Sequence, residues 1–309
     1  TIDRLAFYAE TSTAVSENLS LDLGIRSEHF SAQYNDNASL MFSPDDDLVG
    51  GKASLNLSLE NGSLLYASVS RGYKSGGFNT DGSLDADLRE FDTETLWNYE
   101  LGFKGLLLDE KLQLQLALFA MDRDNVQISS STVRVRDDGS AEFIDFIGNA
   151  AAGSNRGLEA NMQWFATQSI TLYGAVGLLN SEYNDFINSS GDNLDGREQA
   201  HAPGYQFTLG TTIQLSPALS LDLNAQGRDR FFFSDSHAVQ SENYILLNAS
   251  LQYVSSHFNL TLWGRNMSDE DYFVRGFFFG NDPRDDYTAK GYTQFGEPAS
   301  YGLTLDIEF

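Results

Sequence analysis

From Tyr301 to Phe309 the residues alternate without a break: Tyr301, Leu303, Leu305, Ile307 and Phe309 fall on one side, Gly302, Thr304, Asp306 and Glu308 on the other. A β-strand has this period, because successive side chains point to opposite faces. A water-soluble protein would bury the apolar row against a second layer. The same two-residue period recurs along most of the chain, and no segment of helical period stands out to supply that layer. One face of all these strands must therefore meet something apolar that is not protein, and lipid is the simplest candidate.

Composition supports this reading. No run of about eighteen apolar residues occurs and mean hydropathy is −0.31, so a helical membrane protein is not expected. A barrel tolerates low hydropathy, since its inner face is polar and its loops are long. Cysteine is absent, which removes disulfide frameworks, thiolate zinc sites and cysteine nucleophiles together. The formal charge of −25 argues against a nucleic-acid partner, which would be repelled. At 309 residues there is room for two ordinary domains, yet no Pro/Ser-rich linker or shift in composition divides the chain. One architecture is expected throughout.

The repeated unit is two strands joined by a short turn, followed by a long polar segment. Leu5, Phe7 and Ala9 turn through Ser16, Glu17 and Asn18 into Leu19, Leu21, Leu23 and Ile25. A polar segment holding Pro44 and the acidic run Asp45, Asp46 and Asp47 follows. Ala53 to Leu59 then reach Asn61-Gly62, a strong hairpin signal, and return through Leu65, Ala67 and Val69. Further pairs turn at Asp109-Glu110, Thr167-Gln168, Ser216-Pro217 and Ser255-Ser256. The faces between the apolar rows carry Gln113, Gln115, Asn161, Gln163, Asp222, Asn224, Asn248, Gln252 and Asn259. Such a lining suits a water-filled or plugged interior.

Short turns on one side and long loops on the other are the asymmetry of outer-membrane barrels. The expected fold is all-β, an antiparallel transmembrane barrel wall of about thirteen strands. Bacterial single-chain barrels have an even number, and an odd count starts and ends the wall on opposite sides of the membrane. Residues 1–309 are therefore expected to be the C-terminal portion of a larger barrel, a single domain incomplete at its N-terminal side.

The segment Tyr66-Ala-Ser-Val-Ser-Arg-Gly-Tyr-Lys-Ser-Gly-Gly-Phe-Asn79 resembles one common in the barrels of TonB-dependent outer-membrane receptors. So do Asn98-Tyr-Glu-Leu-Gly-Phe-Lys104, the strand start Asn155-Arg-Gly-Leu-Glu159, Gly264-Arg-Asn-Met-Ser-Asp-Glu-Asp-Tyr272 and Gly296-Glu-Pro-Ala-Ser-Tyr-Gly302. These motifs span nearly the whole chain in the family's order. The resemblance implies a barrel of about twenty-two strands filled by an N-terminal plug, of which about nine strands and the plug are not encoded here. It implies active uptake of a scarce large solute, most often a ferric siderophore, otherwise haem, cobalamin or an oligosaccharide. The implied partners are the TonB–ExbB–ExbD complex acting through the plug, the barrel-assembly machinery, and outer-membrane lipid and lipopolysaccharide. The expected location is the bacterial outer membrane.

Candidate residues follow. Glu100, Lys104, Arg156 and Glu159 are expected to point into the lumen, where charges brace an interior or pair with a plug more often than they select a solute. Gly72, Gly76 and Gly77 are expected to shape the rim. Phe231-Phe232-Phe233 and Phe277-Phe278-Phe279 lie at or beyond the outer strand ends, with Tyr287 following. Their plainer role is the aromatic girdle at the headgroups. Three consecutive aromatics cannot all face lipid, however, so Phe232, Phe233, Phe278, Phe279 and Tyr287 are the candidates for stacking on a solute ring. Tyr301 and Phe309 are expected to carry the signal read by the assembly machinery.

Catalytic, metal and cofactor sites are not expected. His29, His201, His237 and His257 lack ligand spacing, and no Gly-x-Ser-x-Gly elbow occurs. Asp192-Asn-Leu-Asp-Gly196 lacks the alternating ligands and distant glutamate of a calcium loop. Asp282, Asp285 and Asp286, like the earlier acidic run, read as wet surface that could also bridge lipopolysaccharide through divalent ions. Two other classes share parts of the pattern: a passive porin, and a soluble β-module hiding its apolar rows between sheets.

Overall fold

The computed structural model describes residues 1–35, 41–136, 141–188, 191–280 and 282–307, with the side chains of 133, 135, 141, 143 and 151 left aside. Thirteen strands form one antiparallel sheet in which every strand pairs with its neighbours in the chain. They are β1 (Ile2–Ala14), β2 (Leu19–Ala32), β3 (Asp45–Ser58), β4 (Leu64–Lys74), β5 (Glu94–Leu107) and β6 (Leu112–Val135). There follow β7 (Ala141–Phe165), β8 (Ile170–Asn184), β9 (Tyr205–Ser216), β10 (Leu219–Arg228), β11 (Tyr244–Val254), β12 (Phe258–Arg265) and β13 (Ser300–Ile307). The count agrees with the sequence reading. Gly62 takes the positive φ of 78° that the short β3–β4 turn demands.

Alternation sorts the two faces as expected. Phe7 is 71% exposed, Leu101 60%, Leu118 53% and Leu303 66%, all on the outer face. Register ties these rows together: Leu101 lies opposite Ala67 and Leu118, and Leu118 opposite Leu158. Among the described residues no protein layer covers them, so they do not form a sandwich core, and hydrocarbon is the medium that satisfies them. The other face is polar and internally bonded. Tyr66 Oη donates to Glu100 Oε1 at 2.6 Å, Tyr173 Oη to both Asp222 oxygens at 2.9 Å, and Asn56 Nδ2 to Asp22 Oδ2 at 2.6 Å.

Four expectations are corrected. Arg156 lies opposite Ala120 and Asn180, two residues before Leu158 and on its outer face, not in the lumen with Glu159. The reason is arithmetic: a spacing of three cannot keep two residues on one face of a period-two strand. The acidic run Asp45 to Asp47 belongs to β3 rather than to a loop, pairing with Ser31, Phe30 and His29. The polar stretch after Leu118 continues as strand, so β6 and β7 are 24 and 25 residues long. About ten residues cross the hydrocarbon, so this hairpin stands far out on the long-loop side. Finally, Phe277 to Phe279 form part of a strand, Phe273–Phe279, paired with Lys290–Phe295 in a separate two-stranded hairpin.

Conventional protein core does exist, at the outer mouth. Val126, Ala150, Tyr183, Phe186 and Leu194 pack on one flank of the long hairpin. Leu84, Ile144 and Phe146 pack on another part of it, and Phe30, Ala32 and Leu48 close the mouth near β1. Asn79 completes the joint to β7 like an added strand residue, donating to the Ile147 carbonyl and accepting from the Ile147 N–H, both at 2.9 Å.

Candidate solute-binding site

The inner positions of β1, β2 and β4 at their outer ends are Arg4, Arg26, Glu28, Phe30 and Lys74, carried there by alternation. Pairing of β3 with β4 stops at Gly51 opposite Arg71. Beyond it the end of β4 swings across, and the Tyr73 ring passes 3.1 Å from where a β-carbon on Gly50 would stand. A side chain at Gly50 would block that crossing. Tyr73 Oη thereby accepts from Arg26 Nε at 3.0 Å and donates to Glu28 Oε2 at 3.2 Å.

These groups line an open cavity of about 800 Å³, to which Phe78, Phe91 and Gln127 also contribute. Arg26 holds Glu28 at 2.6 Å and Arg4 stands 3.8 Å from the same carboxylate. The Arg4 guanidinium also lies 4.9 Å above the Phe30 ring and donates to Ser75 Oγ at 3.2 Å. Gly76 keeps the rim closed: a β-carbon there would sit 2.7 Å from the Phe91 carbonyl oxygen. The reason at Gly76 is this close approach rather than the unusual backbone conformation expected of the rim glycines. Beside the cavity, Glu94 takes Arg123 at 2.6 Å and the Gln127 N–H at 2.8 Å.

The expected aromatic residues gather elsewhere on the mouth. Phe231 and Phe233 are buried, edge-on to each other at 5.3 Å and flanking His201. Phe233 also packs on the backbone of Gly276, which joins the two aromatic triplets. Being 5% exposed, Phe233 offers no ring face to a solute. Phe232 is partly exposed, and Arg197 covers one face of its ring at 3.9 Å. Arg197 further donates to the carbonyls of Ser234 at 2.7 Å and His237 at 2.8 Å, pinning this loop. Phe278 is 47% exposed beside His237, while Phe279 packs on Tyr292 with the rings tilted and 4.8 Å between centroids. Tyr287 is half-buried in a left-handed conformation at φ 56°.

Lower in the lumen, Glu100 is bonded to Tyr66, Lys104 lies 5.6 Å from the same ring, and Glu159 faces inward opposite Ala117 and Gly177. Tyr301 is on the outer face, 64% exposed, and Phe309 lies outside the described residues. Sequence reasoning missed Arg4, Arg26, Lys74 and Tyr73 as a group. The one available signal was that each cation sits on the inner parity of its strand.

Burial in the loop cluster holds His201 and His237 below the ordinary histidine value of 6.5. Arg275 and Arg228 add to this at His201, and Arg197 at His237, where Asp235 opposes it. With the folded values depressed, the unfolded loop takes up more protons as pH falls. The packing is thus at full strength above 6.5 and weakens below it. Protection of the amides in residues 229–243, taken relative to their intrinsic exchange rates at each pH, is expected to fall on acidification to about pH 5, while protection of the β-wall amides stays unchanged. Protection in this loop that is flat with pH would disprove it.

The family described as "TonB dependent receptor-like, beta-barrel" matches residues 1–267. The probable TonB-dependent siderophore receptor PiuA of Acinetobacter baumannii is 24% identical over 297 residues, 90% of this chain and 38% of that protein. The pesticin receptor of Yersinia pestis is 24% identical over 300 residues, 91% of this chain and 41% of the relative. The chain thus spans about two fifths of the length of these curated relatives. The crystal structure of the ferric yersiniabactin uptake receptor FyuA from Yersinia pestis superposes with a TM-score of 0.79 at 19% identity, over 100% of this chain and 46% of that one. At that identity the likeness is one of fold.

Proposed function

Because the chain belongs to the TonB dependent receptor-like β-barrel family, we propose that it forms the wall, mouth and loops of an outer-membrane receptor that imports a ferric siderophore with energy delivered through TonB. The observation that carries this reading is the cavity of about 800 Å³ with basic and aromatic walls, set at the outer mouth above a polar lumen. A cavity of that size suits a chelate too large for diffusive pores. The names of the relatives, a siderophore receptor and a pesticin receptor, support it.

In this reading residues 1–309 are the C-terminal portion of the barrel. Arg4, Arg26, Lys74 and the neighbouring rings hold the solute, and Phe232, Phe278, Phe279 and Tyr287 form a second contact set above the lumen. Glu100, Lys104 and Glu159 brace a plug encoded outside this chain, through which the TonB–ExbB–ExbD complex acts. Tyr301 and Phe309 present the last strand to the assembly machinery. No covalent bond is made or broken; the work is capture and release.

The test is uptake of radiolabelled ferric siderophores by iron-starved cells carrying the complete receptor. Import that persists without TonB would refute the reading and favour a passive pore. Phe278→Ala is expected to lower uptake several-fold at an unchanged surface level, because the ring is exposed and its loss leaves packing intact. Phe233→Ala should instead cost ~3–5 kcal/mol of loop packing, read as protease sensitivity of residues 229–243. Unaltered uptake in Phe278→Ala would remove that ring from the contact set.

A further inference from the structure

We infer that Glu94 and Arg123 are positioning residues that fix the cavity rim and the aromatic loop 229–243 in one arrangement, so that the two contact sets act as a single site. This rests on the siderophore reading above and says how its two contact sets are held. A line of hydrogen bonds joins the two places. At the cavity wall, Gln127 Nε2 donates to the carbonyls of Ser75 and Asp92, both at 3.0 Å, and the Gln127 N–H donates to Glu94 Oε2 at 2.8 Å. The other oxygen, Glu94 Oε1, accepts from Arg123 Nε at 2.8 Å and faces Arg123 Nη2 at 2.6 Å. Arg123 Nη1 reaches onward to Gln199 Oε1 at 3.3 Å. Two residues before Gln199, Arg197 donates to the Ser234 and His237 carbonyls and covers the Phe232 ring.

Glu94, Gln127 and Gln199 are all buried, so their polar atoms have exchanged water for these partners, and removing one leaves another buried and unpaired. Gly153 lies opposite Arg123 in register, and a β-carbon there would stand 2.7 Å from Gln199 Nε2. The bare backbone at that position admits the Gln199 side chain, whose amide also donates to the Glu182 carbonyl at 2.9 Å. The middle of the line needs an arginine. Its planar fork meets a carboxylate and an amide at once, whereas a lysine carries one compact ammonium on a flexible stem. Neither Glu94 nor Arg123 lines the cavity, so each acts on a solute only through the groups it holds.

The test reads amide protection, relative to intrinsic exchange rates at a single neutral pH, in the complete receptor in lipid vesicles. Arg123→Lys keeps a charge beside Glu94 but has no second arm for Gln199. It is expected to leave the rim amides 74–79 within about two-fold of the parent and to lower protection in residues 229–243 at least ~10-fold. Gln199→Leu should reproduce the loop loss, and Arg123→Lys added to it should lose nothing further, because both cut the same link. Gly153→Ala, which pushes Gln199 aside from the neighbouring strand, gives an independent reading should Arg123→Lys reach the membrane poorly. Loop protection unchanged in the three single variants, or losses that add in the double variant, overturns the inference. Uptake of radiolabelled ferric siderophores by iron-starved cells keeps the two claims apart. Arg123→Lys is expected to lower it several-fold at an unchanged surface level, and unaltered uptake in a variant whose loop has loosened also overturns the inference. Import that persists without TonB, beside a loop loosened as above, defeats the transport reading alone; TonB-dependent import with loop protection unmoved in every variant defeats the positioning role alone.

Discussion

Leu118→Arg is expected to destabilise the folded receptor by ~2–4 kcal/mol, the cost of a cation at the bilayer midplane on a barrel's lipid face. The position is chosen by geometry. Leu118 is 53% exposed with Leu101 and Leu158 beside it, on the face that no protein covers. Six residues beyond the start of β6 at Leu112, at about 3.4 Å each and tilted about 45°, it lies roughly 14 Å deep, near the middle of the hydrocarbon. Gln115→Arg, three residues away on the lumen face, is the control and should be nearly neutral. Denaturant titration of the receptor in lipid vesicles reads both. Equal costs at the two positions would mean that the faces have been assigned wrongly.

The second large effect concerns a ring laid over backbone. The Tyr66 ring lies where a β-carbon of Gly102 would be, one strand across in register. Gly102→Val must push the ring aside, an overpacking cost of ~1–3 kcal/mol. It also breaks the Tyr66–Glu100 bond of 2.6 Å, worth about 1 kcal/mol more. Gly177→Ala, on the same lumen face with its nearest neighbours at 3.6 Å, should be tolerated. Because the cost arises from one ring, Gly102→Val should be much milder in a Tyr66→Ala background. An equal loss in both backgrounds would place the strain elsewhere. The unfolding midpoint of the receptor in lipid decides it.

The wall was legible because it is written in a local code. Parity along each strand is enough to place Leu101 in lipid and Glu100 in the lumen, and all thirteen strands of the sheet follow from it. Arg156 shows that this code must be applied residue by residue, since a charge inside a familiar motif can still fall on the lipid side. The long hairpin was hidden by composition: the polar run Ser129, Ser130 and Ser131 carries no apolar alternation, although Val126, Ile144 and Phe146 are held by packing that only the fold creates.

The cavity was illegible for a different reason. Arg4, Arg26 and Lys74 are far apart in the chain, and only the stacking of neighbouring strands gathers them. Tyr73 reaches them because ladder pairing between β3 and β4 ends at Gly51, and periodicity carries no sign of that ending. The two aromatic triplets meet where Phe233 packs against Gly276. The burial of Phe231 and Phe233 depends on Gly276, in the strand Phe273–Phe279, and on His201, in the segment before β9, both distant in sequence.

Because each strand of the sheet bonds only to those adjacent in the chain, the wall contains no central element on which all the others depend. Duplicating or deleting a hairpin would disturb only the two seams where it joins its neighbours. Bore width in such an architecture can change over evolutionary time by whole ribbons, while the mouth, whose packing ties distant loops together, must be inherited nearly intact.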